Sequence, residues 1–222
     1  MCHYRLMLRY FVIYKPYNML SQFTPEGEHQ TLKDLDFTFP KDVYPVGRLD
    51  ADSEGLLLLT NDTAINKLLL NPKNQHPRKY LVQVEGAIDA EAIKMLESGL
   101  EINNNGKPYM TQPAKARIID IEPLIPPRVP PVRFRKTVPT SWIELTLIEG
   151  KNRQVRKMTA KAGFPTLRLL RIAIGNIKLD NMQPGEVKEI DKEKVYNILS
   201  NKLGAALTKG KDIRLNSFLR KT

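Results

Sequence analysis

The 222-residue chain has little of what most catalytic chemistries need. It holds one cysteine, Cys2, so an internal disulfide is excluded and a reducing compartment fits; no redox or nucleophilic role is expected of that thiol. Its three histidines, His3, His29 and His76, are scattered with no cysteine beside them. No zinc spacing exists, and no metal is expected. Neither a GxxxxGK[ST] nor a GxGxxG loop is present to cradle phosphates, and no GxSxG elbow marks a serine hydrolase. Nucleotide-driven chemistry therefore has no foothold, and no cofactor is expected. The apolar run Tyr10 to Tyr14 is too short to cross a bilayer and is followed by no small-residue cleavage pattern. Neither a membrane span nor a signal peptide is expected, and the cytoplasm is the expected location. No repeat of solenoid or propeller period occurs.

Negative charge is the remaining deficit. Lysine and arginine number 35 against 24 acids, a formal net charge of +11. With 41% apolar and 27% charged residues, this is an ordinary globular composition biased toward polyanions, chiefly nucleic acid.

Patterning predicts a mixed α+β architecture. Strands are expected at residues 10–14, 79–85, 115–121, 142–148, 167–174 and 185–190, with a further apolar run at Leu56 to Leu59. A short helix is expected near Thr31 to Leu35. Asn61, Asp62 and Thr63 offer caps to a helix over Ala64 to Leu70, and Asp89 to one reaching Glu97. Asn152 is read as the cap of a helix to Ala162 whose inward stripe is Val155, Met158, Thr159 and Ala162. Asp191 opens a last helix to about Leu207, and a basic tail follows from Lys209. Strands and helices mix without strict alternation, which predicts a mixed, mainly antiparallel sheet flanked by helices and loops. The expected division is one domain of two α+β subdomains over 1–190, then a C-terminal helix and tail over 191–222. Between Glu122 and Thr140, six prolines and several cations, Arg133 and Arg135 among them, form an extended loop suited to phosphate contact.

Three features carry chemistry. One arginine and three acids crowd Arg48-Leu49-Asp50-Ala51-Asp52-Ser53-Glu54, just before an apolar strand. Buried unpaired ions are costly, so these acids are expected on a loop that delivers Asp50 to the edge of a core. Tyr80 opens a strand. Arg156, beside Val155 at the border of the buried helical stripe, calls for an acid partner, and Asp50 is the expected one.

The Gly47-Arg48-Leu49-Asp50 run through Gly55-Leu56-Leu57, the Lys79-Tyr80-Leu81-Val82 strand and the Glu149-Gly150 to Met158 run resemble, in that order, the motifs of the RsuA-type pseudouridine synthases. The run Gly163-Phe164-Pro165-Thr166-Leu167-Arg168-Leu169-Leu170-Arg171 does so too, and matches span roughly residues 10–190. Asn18 to Thr24 and the Pro139 to Trp142 stretch are most similar to the E-type branch acting on large-subunit ribosomal RNA. The resemblance implies a cofactor-free isomerase that cleaves N1–C1′ of a uridine, turns the base and rejoins it through C5. It implies Asp50 as nucleophile, Arg156 as the cation that keeps it ionised, and Tyr80 stacked on the flipped base. Arg48 fills the gap left by the base or binds phosphate. Lys151, Arg153, Gln154, Lys157, Arg168 and Arg171 are the expected RNA track, flanked by Arg133 and Arg135. Ribosomal RNA is the expected partner of a monomeric enzyme. The alternative is a non-catalytic RNA-binding factor in ribosome assembly.

Overall fold

A computed structural model describes residues 7–133, 135 and 137–197. Cys2, the tail from Lys209 and most of the last expected helix lie outside the described residues.

The expected strands form one mixed sheet. In chain order the strands of the structure are β1 (Tyr10–Lys15), β2 (Tyr44–Pro45), β3 (Glu54–Thr60), β4 (Arg78–Glu85), β5 (Glu101–Asn104), β6 (Lys107–Met110), β7 (Lys115–Ile119), β8 (Thr140–Leu147), β9 (Thr166–Ile174), β10 (Ile177–Lys178) and β11 (Val187–Glu189), of which β2, β5, β6 and β10 were not expected. The main sheet runs β11-β1-β3-β9-β4-β8-β7, with β2 on β3 and β10 on β9. Only the β3–β9 pairing is parallel. Every residue of β1 and β3 is buried. Central strands covered on both faces read as continuous rather than alternating apolar runs, which is why Leu56 to Leu59 carried no period.

The helices α1 (Thr63–Leu70), α2 (Ala90–Ser98) and α3 (Gln154–Lys161) start where short polar side chains or a special backbone allow it. Asp62 caps α1 by accepting from the Ala64 amide, and Asp89 caps α2 by accepting from Ala92. The expected turn near Thr31 is a single 3₁₀ turn, Leu32–Asp34, closed by a reciprocal Thr31–Asp34 capping box. The expected Asn152 cap is displaced: Arg153 precedes α3 in the left-handed region, at φ 52°, with no side-chain cap.

Three apolar clusters hold the layers together. One packs Tyr10, Val12, Leu58, Leu81 and Leu170 with α1 and with Val195, whose neighbour Tyr196 donates to Asp62 at 2.7 Å. The segment beyond residue 190 therefore joins the same core as far as it is described. A second cluster packs Val82, Val84 and Leu145 against α2 and α3. The third lies behind β1, around Phe11, Ile13, Leu32 and Leu57.

The longest of the elements that went unread in the sequence is a hairpin. β5 and β6 form a two-stranded hairpin turning at Asn105-Gly106, both at positive φ. That dipeptide is the strongest short-range hairpin signal, lying between Ile102 and Tyr109. The hairpin supplies Tyr109 to the cleft described next.

Candidate active site

The acid loop enters β3, and its shape is set from behind. The Leu49 amide donates to Ser21 Oγ at 3.0 Å, and that hydroxyl donates back to the Leu49 carbonyl at 2.9 Å. The Ala51 carbonyl accepts from the Asn18 amide at 2.8 Å and from Lys15 Nζ at 3.3 Å. Lys15 is fully buried, and its ammonium also donates to the Pro16 and Met19 carbonyls. Burial pushes that ammonium down to about 7. Ser21 and Lys15 thus brace the loop, roles that no sequence motif singled out. Gly55 makes the exit possible. At φ +102° it opposes Arg171 of β9, and a Cβ there would lie 2.3 Å from the Arg171 carbonyl oxygen.

The basic run is braced by an acid the sequence reading passed over. The buried Glu149 accepts from the Tyr109 hydroxyl at 2.6 Å, the Gln112 amide at 2.8 Å and Gln154 Nε2 at 2.7 Å. Gln154 in turn accepts from the Lys151 amide at 2.9 Å. Its amide is used inside the protein, so the expected RNA contact from Gln154 is corrected to a loop brace.

Asp50, Tyr80, Arg48, Lys151, Arg153 and Arg171 line one cleft of about 460 Å³, together with Gln154 and Tyr109. Their side chains come from the acid loop, β4, the start of α3, β6 and β9, so distant segments of the chain converge there.

The ion pairing differs from the expectation. Arg153, not Arg156, reaches Asp50, at 3.7 Å. Arg153 also forks onto Asp52, with contacts of 3.1 and 2.7 Å. Arg156 approaches Asp52 at 3.3 Å through Nε and donates to the Asp52 carbonyl at 2.6 Å and to the Thr166 carbonyl at 3.3 Å. The cause is the helix start. A left-handed Arg153 sits before the first turn and swings into the cleft, while Arg156 lies one turn deeper behind the loop. The Asp50 side chain is 39% exposed, in keeping with a loop position at the edge of the core. Burial alone would raise Asp52, but the Arg153 hydrogen bond and the charges of Arg156 and Arg153 outweigh it and hold that carboxyl below its ordinary value. Burial depresses Arg156, whereas the Asp52 hydrogen bond raises Arg153.

Two more expected RNA contacts are interior. Arg168 forks onto Glu54 with both contacts at 2.8 Å and donates to the Pro126 carbonyl; it is 6% exposed. It lies on the sheet face opposite the cleft. Glu54 belongs to β3 rather than to the loop, a buried acid tolerated because Arg168 neutralises it. Arg171 is 5% exposed, and its Nε donates to the Leu56 carbonyl at 2.8 Å. Neither can reach a phosphate on the surface. Both sit in β9, between β3 and β4, where alternation sends one side chain to each covered face.

Lys157 lies outside the cleft lining and donates to Asn152 at 3.3 Å. Arg133 is exposed on the proline-rich loop. Arg135 pairs with Glu85 at 2.8 Å, at the far end of β4 from Tyr80. Arg128 of the same loop stacks on Tyr17 at 4.1 Å. Among the described residues, no group of three His, Cys, Asp or Glu side chains is placed to hold a metal ion, and no helix is long and apolar enough to cross a membrane.

Residues 9–161 match the family described as RNA pseudouridylate synthase. The chain is 51% identical over 176 residues to "Ribosomal large subunit pseudouridine synthase E" of Vibrio parahaemolyticus, covering 79% of this chain and 71% of that protein. It is 49% identical over 170 residues to the protein of the same name from Xanthomonas axonopodis, covering 77% and 87%. A solved structure titled "Crystal structure of pseudouridylate synthase" superposes with a TM-score of 0.70 at 25% identity, covering 86% of this chain and 74% of that one.

Proposed function

The chain belongs to the RNA pseudouridylate synthase family, and we propose that it isomerises one uridine of large-subunit ribosomal RNA with Asp50 as nucleophile. The observation that carries this reading is the cleft itself, which sets a partly exposed carboxylate, an aromatic ring and a guanidinium around a space of nucleoside size. The rRNA substrate is supported by the names of the relatives at about half identity.

Asp50 donates an electron pair to C1′ as the N1–C1′ bond breaks, or removes the 2′ proton to give a glycal. The base turns, C5 bonds to C1′ as the Asp50–C1′ bond breaks (or as the glycal regains its 2′ proton), and the C5 proton leaves while N1 takes one up. Oxidation state does not change. Arg153 steers the carboxylate from 3.7 Å, and Arg156 holds the loop through the Asp52 backbone and side chain. Tyr80 stacks on the extruded base, an interaction worth about 1–3 kcal/mol. Extrusion costs a few kcal/mol and is easiest in a loop or single strand. Arg48, Lys151 and Arg153 at the cleft, with Lys157 beside it and Arg133 and Arg135 as a more distant flank, supply the positive surface. The scheme needs no second subunit, and we read the enzyme as a monomer; an rRNA substrate fits a cytoplasmic location. Nothing in the cleft favours the non-catalytic assembly factor.

The test is tritium release from 5-tritiated uridine in large-subunit rRNA transcripts. Wild-type protein is expected to release label, and Asp50→Asn to release none while binding RNA normally. Wild-type-level turnover by that variant would remove the nucleophile assignment.

A further inference from the structure

Two cations lining the cleft, Arg78 and Arg171, have no work in the scheme above; Arg78 spends its guanidinium on the His76 and Leu69 carbonyls, which leaves Arg171. It sits in β9, paired through Cα with Tyr80 of β4 on one side and with Gly55 of β3 on the other. It therefore lies at the floor of the cleft, between the stacking ring and the strand that carries the acid loop. Its Nε is used by the Leu56 carbonyl. Its Nη2 is buried and has no hydrogen-bond partner among the described residues. No acid lies within ion-pairing distance of it there, whereas Arg153, Arg156 and Arg168 each have one. Burial depresses the guanidinium and the neighbouring Arg78 charge adds to that, while the Tyr80 hydroxyl is the polar side-chain group that supports it.

A buried guanidinium with an idle donor and no counter-ion is expensive to keep. The expense is recovered if the substrate supplies the missing acceptor. Within the proposed reaction such an acceptor also gains charge. When N1–C1′ breaks, the bonding pair passes to the uracil ring and spreads from N1 onto O2 and, through the conjugated ring, O4. Negative charge thereby leaves the Asp50 carboxylate, which becomes an ester or an acid, and appears on the base. When C5 bonds to C1′, the Asp50–C1′ bond breaks (or the 2′ proton returns to the glycal) and the ring is neutral again; the C5 proton then leaves as N1 takes one up. A fixed cation at the floor, beside the ring that stacks the base, matches this transient anion. A tight carboxylate partner would have cancelled it.

We propose that Arg171 is a catalytic residue that donates from Nη2 to a uracil carbonyl oxygen and stabilises the uracil anion released on glycosidic cleavage. The proposal rests on the reading of the cleft as a pseudouridine synthase site.

The experiment is a single-turnover series on an rRNA fragment carrying uridine, 2-thiouridine or 4-thiouridine at the modified position. Sulfur accepts hydrogen bonds poorly, so it removes one carbonyl acceptor at a time. Losing a preorganised donor to a developing oxyanion costs about 10²–10³ in rate, and Arg171→Met is expected to lose at least about 10²-fold on uridine with unchanged RNA affinity. Arg171→Lys, which keeps the charge, is expected to recover part of the loss. On the one thio-substrate whose sulfur replaces the contacted oxygen, wild type slows and the penalty of either variant shrinks. Equal penalties on all three substrates would overturn the proposal, as would weakened RNA binding with an unchanged rate. Should Arg171→Met fail to fold, the Arg171→Lys series alone decides by the same criterion. Wild-type turnover with additive penalties removes only the Arg171 assignment, whereas absence of wild-type turnover removes the site reading and this proposal together.

Discussion

Replacing Arg168 by methionine separates a structural arginine from an RNA-binding one. The substitution keeps much of the side-chain volume and deletes the guanidinium. What remains is Glu54, 2% exposed, with both oxygens stripped of their 2.8 Å partners, and a Pro126 carbonyl without its donor. Removing one member of a buried pair typically costs about 3–5 kcal/mol, because the other charge is left uncompensated in the interior. A domain of this size loses about 2–4 °C of melting temperature per kcal/mol, so the expected fall is about 6–20 °C. Urea unfolding gives the free energy, and thermal melting the second measure. Arg117→Met provides the comparison: Arg117 also forks onto an acid, Glu144, but with a side chain 65% exposed, and its loss is expected to leave the melt almost unchanged. The double variant Arg168→Met/Glu54→Leu is expected to regain most of the stability, since an apolar pair can replace a buried ionic one at little cost. Stability within about 1 kcal/mol of wild type for Arg168→Met, the typical ceiling for an exposed pair, would refute the reasoning. If that variant also bound RNA with a shallower salt dependence, the phosphate-contact reading would be restored.

Two further perturbations address the acid loop. Gly55→Ala drives a methyl into the Arg171 backbone at a φ of +102°; overpacking costs about 1–3 kcal/mol even where neighbours can yield, and this one cannot. A lowered urea midpoint is expected, and an unchanged one would mean that β3 and β9 are less closely apposed than described. Asp52 is held below its ordinary value of 3.8 in the folded chain. Its stabilisation is therefore complete above that value, where the unfolded carboxyl is also ionised, and is lost as pH falls through the lower folded value. Asp52→Asn is expected to be less stable at neutral pH and to decline less steeply on acidification, both read from urea midpoints; parallel acid limbs for the two proteins would contradict the pairing.

The sequence made the local features legible because each has a local cause. Caps at Asp62 and Asp89, the strand at Tyr80 and the loop at Asp50 depend on neighbours within a few residues. The pairing of charges does not. Which arginine meets Asp50 turns on a single left-handed residue at 153, since a one-residue change in where a helix starts rotates every side chain by about 100°. Counting cations overstated the RNA surface for a related reason. Arg168 and Arg171 occupy an otherwise apolar stretch, Leu167 to Ile174, and a strand that apolar is usually central. A charge inside it then needs a buried partner, and Glu54, at the head of the next most apolar run, was that partner in plain view.

The pairings that the sequence could not reveal also bear on how the cleft would work. A carboxylate locked in a bidentate guanidinium fork is directed and stabilised, and so is slow to give up an electron pair. Asp52 takes that position, holding the fork of Arg153 and the Nε contact of Arg156. Asp50 keeps only the 3.7 Å approach of Arg153. The second acid thus anchors the cations while the proposed nucleophile is left steered and lightly held. The same logic applies at the floor, where the Nη2 of Arg171 has no hydrogen-bond partner among the described residues. An arrangement that pairs every charge at rest would favour the unreacted state. This one concentrates its strong pairing beside the reacting space on Asp52, and leaves an under-paired anion and an under-paired cation facing into it. Charge can then pass from Asp50 to the base without first breaking a tight ion pair.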